Sequence, residues 1–80
     1  MFDRQMDKFD KPMQRKVFER AQLLAINPSH PLLNNHKLHH PYDGYSSINV
    51  TGDYRLVYKK LAPDVYFLRA VGTHHQLFGS

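Results

Sequence analysis

Five of the six histidines fall into two groups in this chain, one ahead of its strand-forming half and one close to its C-terminal end. The first group is His36, His39 and His40, and the second is His74 and His75. An imidazole can give or take a proton near neutral pH, so two groups that meet in space could perform acid/base chemistry. A loop histidine is more often a solvated polar side chain, and that alternative stays open for each of them.

Metal coordination is a second chemistry that imidazoles could support. Such a site would combine several histidines with Asp43 or Asp53. The chain has no cysteine to supply a thiolate, and the spacing matches no compact ligand signature. We therefore expect no metal and no other cofactor.

The chain is basic, with 11 Lys and Arg against 7 Asp and Glu and a net charge of +4. This balance suits a polyanionic partner such as RNA, DNA or an acidic protein segment, although many small soluble proteins are equally basic. The 80 residues fit one domain, which we expect to span 1–80. The absence of cysteine and of any long apolar run predicts a cytoplasmic protein without a membrane span.

The first third of the chain has helical periodicity. Apolar residues recur there in steps of three or four, at Phe2, Met6, Phe9, Met13, Val17, Ala21 and Leu24. Asp10-Lys11-Pro12 interrupts this pattern with a capping residue and a proline suited to a first turn. The pattern predicts two helices, over 2–9 and 11–26, in a hairpin, and a loop from Asn27-Pro28 to about Gly44.

From Tyr45 onward the period changes to two, which predicts strands over 45–51, 54–60 and 65–71 joined by short turns. One face, with Tyr66, Leu68 and Ala70 on the last strand, should pack on the helices. The opposite face should be polar and basic, through Asn49, Arg55, Lys59 and Arg69. The fold class that we predict is α+β, an N-terminal helical hairpin packed on a three-stranded antiparallel sheet.

Motifs in this half of the chain resemble the RelE/ParE superfamily, and within it the YafQ-like branch. In that branch a loop histidine precedes an aromatic-lined strand, an aspartate follows in the next hairpin, and a Gly-Thr-His-x-x-Leu-Phe-Gly motif ends the chain. The matching residues here are His36, Gly44-Tyr45, Gly52 through Tyr58, and Leu68 through Gly79. The helical segment through Asn27-Pro28 is similar too, so the resemblance covers nearly the whole chain.

The resemblance implies a bacterial toxin of a toxin–antitoxin pair that cleaves messenger RNA while the RNA sits in the ribosome. Its partners would be a cognate antitoxin, in a toxin–antitoxin hetero-oligomer, together with mRNA and the ribosome. The fold that the family implies, a helical hairpin on an antiparallel sheet, agrees with the fold predicted from periodicity.

The resemblance also implies roles for individual residues. His36, Asp53 and His74 match catalytic positions of the YafQ branch, and Arg55 matches the strand arginine of the RelE and YoeB branches. RNA cleavage without a metal needs a base for the ribose 2′-hydroxyl, an acid for the leaving oxygen and positive charge at the phosphate. His74 could be the acid or the base and His36 the second proton-transfer group, while Asp53 would orient a histidine or take the proton itself. We expect RNA contacts from Lys37, Asn49, Lys59, Arg69 and Phe78.

Two features depart from the family pattern. Asn49 stands where the YafQ branch has a second catalytic histidine. The usual first strand is missing, which predicts an open sheet edge able to pair with another chain. Two alternatives therefore stay open: a ParE-like protein that binds a topoisomerase without RNA chemistry, and an inactive shortened relative that acts only as an interaction module. Histidines beside Arg55 favour the ribonuclease, because a pure binder does not need them there.

Overall fold

The computed structural model describes residues 1–79. Helices α1 and α2 come first and are followed by a short 3-10 turn, four strands and a C-terminal helix. Their bounds are α1 Phe2–Asp7, α2 Lys11–Ile26, the 3-10 turn Pro31–Leu33, β1 His36–Lys37, β2 Ser46–Thr51, β3 Tyr54–Ala62, β4 Val65–Thr73 and α3 His74–Phe78. The strands form one antiparallel sheet in the order β1-β2-β3-β4.

The two predicted N-terminal helices are confirmed. Asp10 caps α2, because its side chain accepts a hydrogen bond from the Met13 amide at 3.0 Å. The Gln14 side chain donates to the carbonyl oxygens of Met6 and Phe9, at 2.8 and 3.2 Å. This amide therefore ties the start of α2 to the end of α1 and fixes the angle between the helices.

The predicted α+β class and the antiparallel meander are also confirmed, and the sheet has one short strand more than the three expected. Strands β3 and β4 each run two residues past their predicted ends. The additional strand β1 comes from the predicted loop and pairs His36 with Ser47. A two-residue strand has no periodicity of its own, which is why the sequence pattern did not reveal it.

The main core lies between the helices and one face of the sheet. Its fully buried members include Val17 and Leu24 from α2, with Ile48, Val50 and Leu56 from the sheet. Burial of such aliphatic side chains stabilises a domain by about 1.5–3 kcal/mol each. This layer holds β2 and β3 against α2 and so fixes the strands that carry the candidate site.

The opposite face of the sheet corrects a prediction. Instead of being only polar and basic, it has a second apolar cluster, in which Val57, Ala70 and Leu77 are buried. A β-bulge causes part of the difference: the register shifts between Val57, which pairs with Ala70, and Tyr58, which pairs with Leu68. The bulge turns Ala70 away from the helices, so its predicted placement on the helix-facing side is wrong.

The outer edge of β4 is partly covered by α1. The Gln5 side-chain oxygen accepts a hydrogen bond from the Val71 amide at 2.7 Å, which satisfies one outward-pointing donor of the edge strand. Toward the start of β4, Val65 and Phe67 are exposed. No helix within residues 1–79 is long and apolar enough to cross a membrane.

Candidate active site

Arg55 projects from β3, directly opposite Asn49 in β2. Its Nε donates to Ser47 Oγ at 2.9 Å, and one terminal nitrogen donates to Asn49 Oδ1. The other terminal nitrogen donates to the Asn34 carbonyl at 3.3 Å. Partial burial lowers the pKa of Arg55, because desolvation disfavours the charged form, but a guanidinium remains protonated in proteins. The site therefore has a fixed positive charge.

His36 lies beside this guanidinium. Its Nδ1 is 3.0 Å from the Asn34 carbonyl oxygen and 3.3 Å from the Arg55 terminal nitrogen. A carbonyl oxygen can only accept, so we assign the imidazole proton to Nδ1 from the shorter of these contacts. In that tautomer Nε2 holds the lone pair, which leaves His36 able to accept a proton.

His74 begins α3, and the preceding residue holds it in place. Thr73 and Gln76 form a capping box: Thr73 Oγ1 accepts from the Gln76 amide at 3.1 Å, and Gln76 Oε1 accepts from the Thr73 amide at 2.9 Å. A Cβ atom on Gly72 would lie 2.9 Å from Gln76 Oε1, so a larger residue there would require the end of the Gln76 side chain to shift. The His74 ring lies 4.9 Å from the Phe78 ring, centre to centre.

Three of the four predicted catalytic residues line one cleft of about 330 Å³. Its lining consists of His36, Leu38, Arg55, His74 and Phe78. Asp53 is outside this lining, in the exposed turn between β2 and β3, and its carbonyl accepts a hydrogen bond from the His74 amide at 3.2 Å. The fold therefore brings one histidine of each group, His36 and His74, to the same cleft, with the Asp53 backbone next to His74.

The predicted RNA-contacting residues lie in three places. Phe78 lines the cleft, and Asn49 contacts Arg55. Lys59 and Arg69 are farther along the same face, with Lys59 Nζ 5.6 Å and the Arg69 guanidinium 5.3 Å from the centre of the Tyr45 ring. Lys37 is exposed on β1.

Sequence reasoning missed two residues that hold Arg55. Ser47 is fully buried, and Asn34 adopts a left-handed conformation with φ 43°. The period-two pattern of β2 could have identified Ser47, because it shares a strand face with Asn49. Nothing local could have identified Asn34, since its contribution is a backbone carbonyl.

The donor set in this cleft fits proton transfer and anion binding. Arg55 supplies charge, His36 a proton acceptor and His74 a second titratable group. Within the described part of the chain, no cluster of three or more His, Asp or Glu side chains could hold a metal ion. The cleft therefore has the groups that phosphate chemistry needs.

Comparison with known proteins agrees with this geometry. No protein-family model and no curated protein sequence matches the chain. Escherichia coli YafQ, from strain BL21(DE3), matches with 30% identity and a TM-score of 0.69 over 81% of this chain and 73% of YafQ. A histidine-to-glutamine variant of E. coli YafQ matches with 31% identity and a TM-score of 0.65 over the same shares of the two chains.

A third solved structure has the same fold at lower identity. It is a copper-bound leucine-to-serine variant of a Helicobacter pylori toxin, with 23% identity and a TM-score of 0.66 over 95% of this chain and 83% of that toxin. The YafQ match, at 30% identity, covers 81% of this chain and 73% of YafQ. The chain thus belongs to the YafQ-like branch of the RelE/ParE superfamily of toxins from toxin–antitoxin pairs.

Proposed function

We propose that this protein is an endoribonuclease that cleaves messenger RNA on the ribosome, in the cytoplasm, and needs no metal. The observation that supports this most directly is the convergence of His36, Arg55 and His74 on one cleft beside Phe78. The similarity to YafQ supports the assignment to this class of toxin. The imidazoles and the guanidinium in the cleft suit acid/base cleavage of RNA.

The reaction would proceed by attack of a ribose 2′-oxygen on the adjacent phosphorus. His36 Nε2 takes the 2′-hydroxyl proton, the new O–P bond forms, and the bond to the 5′-oxygen breaks. His74 gives a proton to that leaving oxygen. The products are a 2′,3′-cyclic phosphate and a free 5′-hydroxyl, so protons and bonds balance without a co-reactant.

Arg55 would stabilise the charge that develops on the phosphorane oxygens. Its contacts to Ser47, Asn49 and Asn34 fix the guanidinium before substrate arrives. A donor that needs no reorganisation in the transition state is worth about 10²–10³-fold in rate. Asp53 would act on His74 rather than on the RNA, as an orienting group, and the hydrogen bond from the His74 amide to the Asp53 carbonyl supports this role.

A cognate antitoxin is the protein partner of a toxin of this class. We propose that it contacts the start of the edge strand β4, where Val65 and Phe67 are 49% and 45% exposed. An unpaired edge with apolar side chains favours the addition of a partner strand. The net charge of +4 favours an acidic partner segment.

The test of this function is induction of the protein alone in bacteria, followed by primer extension on abundant transcripts. We expect growth arrest, a stop in translation, and new 5′ ends that lie within codons of translated messages. DNA damage signalling with intact transcripts would instead identify a topoisomerase poison and reject the ribonuclease.

A further inference from the structure

A second cavity, of about 260 Å³, adjoins the catalytic cleft. Its lining is Leu38, His39, His40, Pro41, Tyr42, Leu77 and Phe78. Leu38 and Phe78 line the cleft as well, so the two spaces share these walls. The cavity therefore lies directly beside the cleft, with Leu38 and Phe78 at their common boundary.

The aromatic wall of this cavity is fixed in place. The Tyr42 hydroxyl donates to the Leu77 carbonyl at 3.1 Å. The Tyr42 ring meets the Phe78 ring edge-on at 5.7 Å and the Tyr45 ring edge-on at 6.5 Å. Because these contacts already order the rings, a ligand that packs on them loses little further conformational entropy.

Positive charge borders the cavity but does not line it. The Arg69 guanidinium is 5.7 Å from the centre of the Tyr42 ring, and Lys59 is close to the neighbouring Tyr45. Among the described residues that line the cavity, none is lysine or arginine. Aromatic rings bordered by cations suit single-stranded nucleic acid, whose bases stack while its phosphates face the cations.

We propose that this cavity is a nucleobase subsite, which receives the base of a nucleotide adjacent to the phosphate bound in the cleft. The inference rests on the proposed function, since it assigns a position to part of the RNA. An apolar, aromatic-walled space suits a flat base better than a second phosphate. Its position beside the cleft, with Leu38 and Phe78 lining both spaces, favours a nucleotide over an antitoxin side chain as the occupant.

The test compares two ligands that differ only in the base: adenosine 5′-monophosphate and ribose 5-phosphate. Each is titrated into the isotope-labelled protein and followed by NMR. Signals of Arg55, His36 and His74 report the cleft, and the methyl groups of Leu77 and the ring of Tyr42 report the cavity. We expect both ligands to shift the cleft signals and the nucleotide alone to shift the cavity signals.

Affinity gives a second readout of the same comparison. One stacked base contributes about 5- to 150-fold to binding, so adenosine 5′-monophosphate should bind more tightly than ribose 5-phosphate by a factor in that range. Tyr42→Leu should remove this advantage and leave ribose 5-phosphate binding unchanged. The matched control Tyr42→Phe keeps the ring, and it should keep the advantage. The two-ligand comparison on the parent protein stands by itself if Tyr42→Leu does not fold.

The outcomes separate this proposal from the proposed function. Equal affinity for both ligands, with cavity signals that do not move, would overturn the subsite and leave RNA cleavage untouched. Base-dependent binding by a protein that cuts no transcript would preserve the subsite and reject the ribonuclease. Cavity shifts on addition of the co-expressed antitoxin, but not of the nucleotide, would reassign the cavity to protein binding and reject the subsite.

Discussion

Arg55 is held by groups from two separate parts of the chain. Ser47 and Asn49 lie two residues apart on β2, and Asn34 offers its carbonyl from the segment before β1. The resemblance to the YafQ branch implies a departure at Asn49, where a catalytic histidine was expected. In this protein its amide oxygen binds the guanidinium, so the asparagine and the arginine form a matched pair.

Replacement of Arg55 by lysine should therefore be costly. An ammonium keeps the charge but cannot contact Ser47 and Asn49 together while also facing a phosphate. We expect the rate of transcript cleavage to fall by about 10²–10³-fold for Arg55→Lys, with the fold retained by circular dichroism. Rates would be measured on programmed ribosomes with purified protein.

Asn49→Leu and Arg55→Lys, made singly and together, form a double-mutant cycle. Loss of a hydrogen bond to a charged group costs about 1.5–3 kcal/mol, so Asn49→Leu alone should be slower by about 10- to 150-fold. In the Arg55→Lys background the same change should have little further effect, because the partner is already gone. Independent, multiplying effects would mean that Asn49 acts on the RNA rather than through Arg55.

Among the secondary-structure elements, the sequence pattern did not predict three features: strand β1, the β-bulge between β3 and β4, and helix α3. The sequence predicted the ends of α1, α2 and strands β2 to β4 to within about two residues. Each of these elements is long enough for its apolar residues to show a clear period. Strand β1 is too short to show a periodic pattern. The register shift between Val57 and Tyr58 depends on how β3 pairs with β4, which the sequence pattern does not contain. Helix α3 does have a local sequence signal, because Thr73 and Gln76 form a capping box. These residues were interpreted only as part of the family motif, so the helix was not predicted.

Thr73 should consequently affect both stability and activity. Thr73→Val removes the hydroxyl that caps α3, which should lower the free energy of unfolding by about 1 kcal/mol. Because His74 follows directly, the cleavage rate should fall as well. Urea unfolding and cleavage kinetics would measure the two effects, and Thr73→Ser should restore both. A normal rate for Thr73→Val would show that the cap does not position His74.

At the scale of the whole molecule, the sheet has an apolar layer on each face. The helices cover one face, and the segment from Leu38 to Tyr45 together with α3 covers part of the other. Sequence patterning predicted the first layer but missed the second, since the residues that build it come from a loop and a five-residue helix. The candidate cleft opens beside this second layer, so catalytic geometry and packing are linked there.

The edge of the sheet should be where the antitoxin binds. Phe67→Glu places a charge on the exposed start of β4, and we expect it to weaken co-purification with the antitoxin encoded next to this protein. Unfolding should change little, because Phe67 is 45% exposed. The control is Ile26→Glu on α2, where the side chain is 81% exposed. Equal loss of antitoxin from both variants would place the interface elsewhere.

Replacement of His74 by alanine is the sharpest test of acid/base RNA cleavage in the cleft. A general acid typically contributes 10²–10⁴-fold, so we expect cleavage of ribosome-bound transcript to fall by about that factor. The variant should keep its circular dichroism spectrum and its antitoxin binding. If His74→Ala cleaves at the rate of the parent protein, His74 is not the general acid and the cleft is not the site of RNA cleavage.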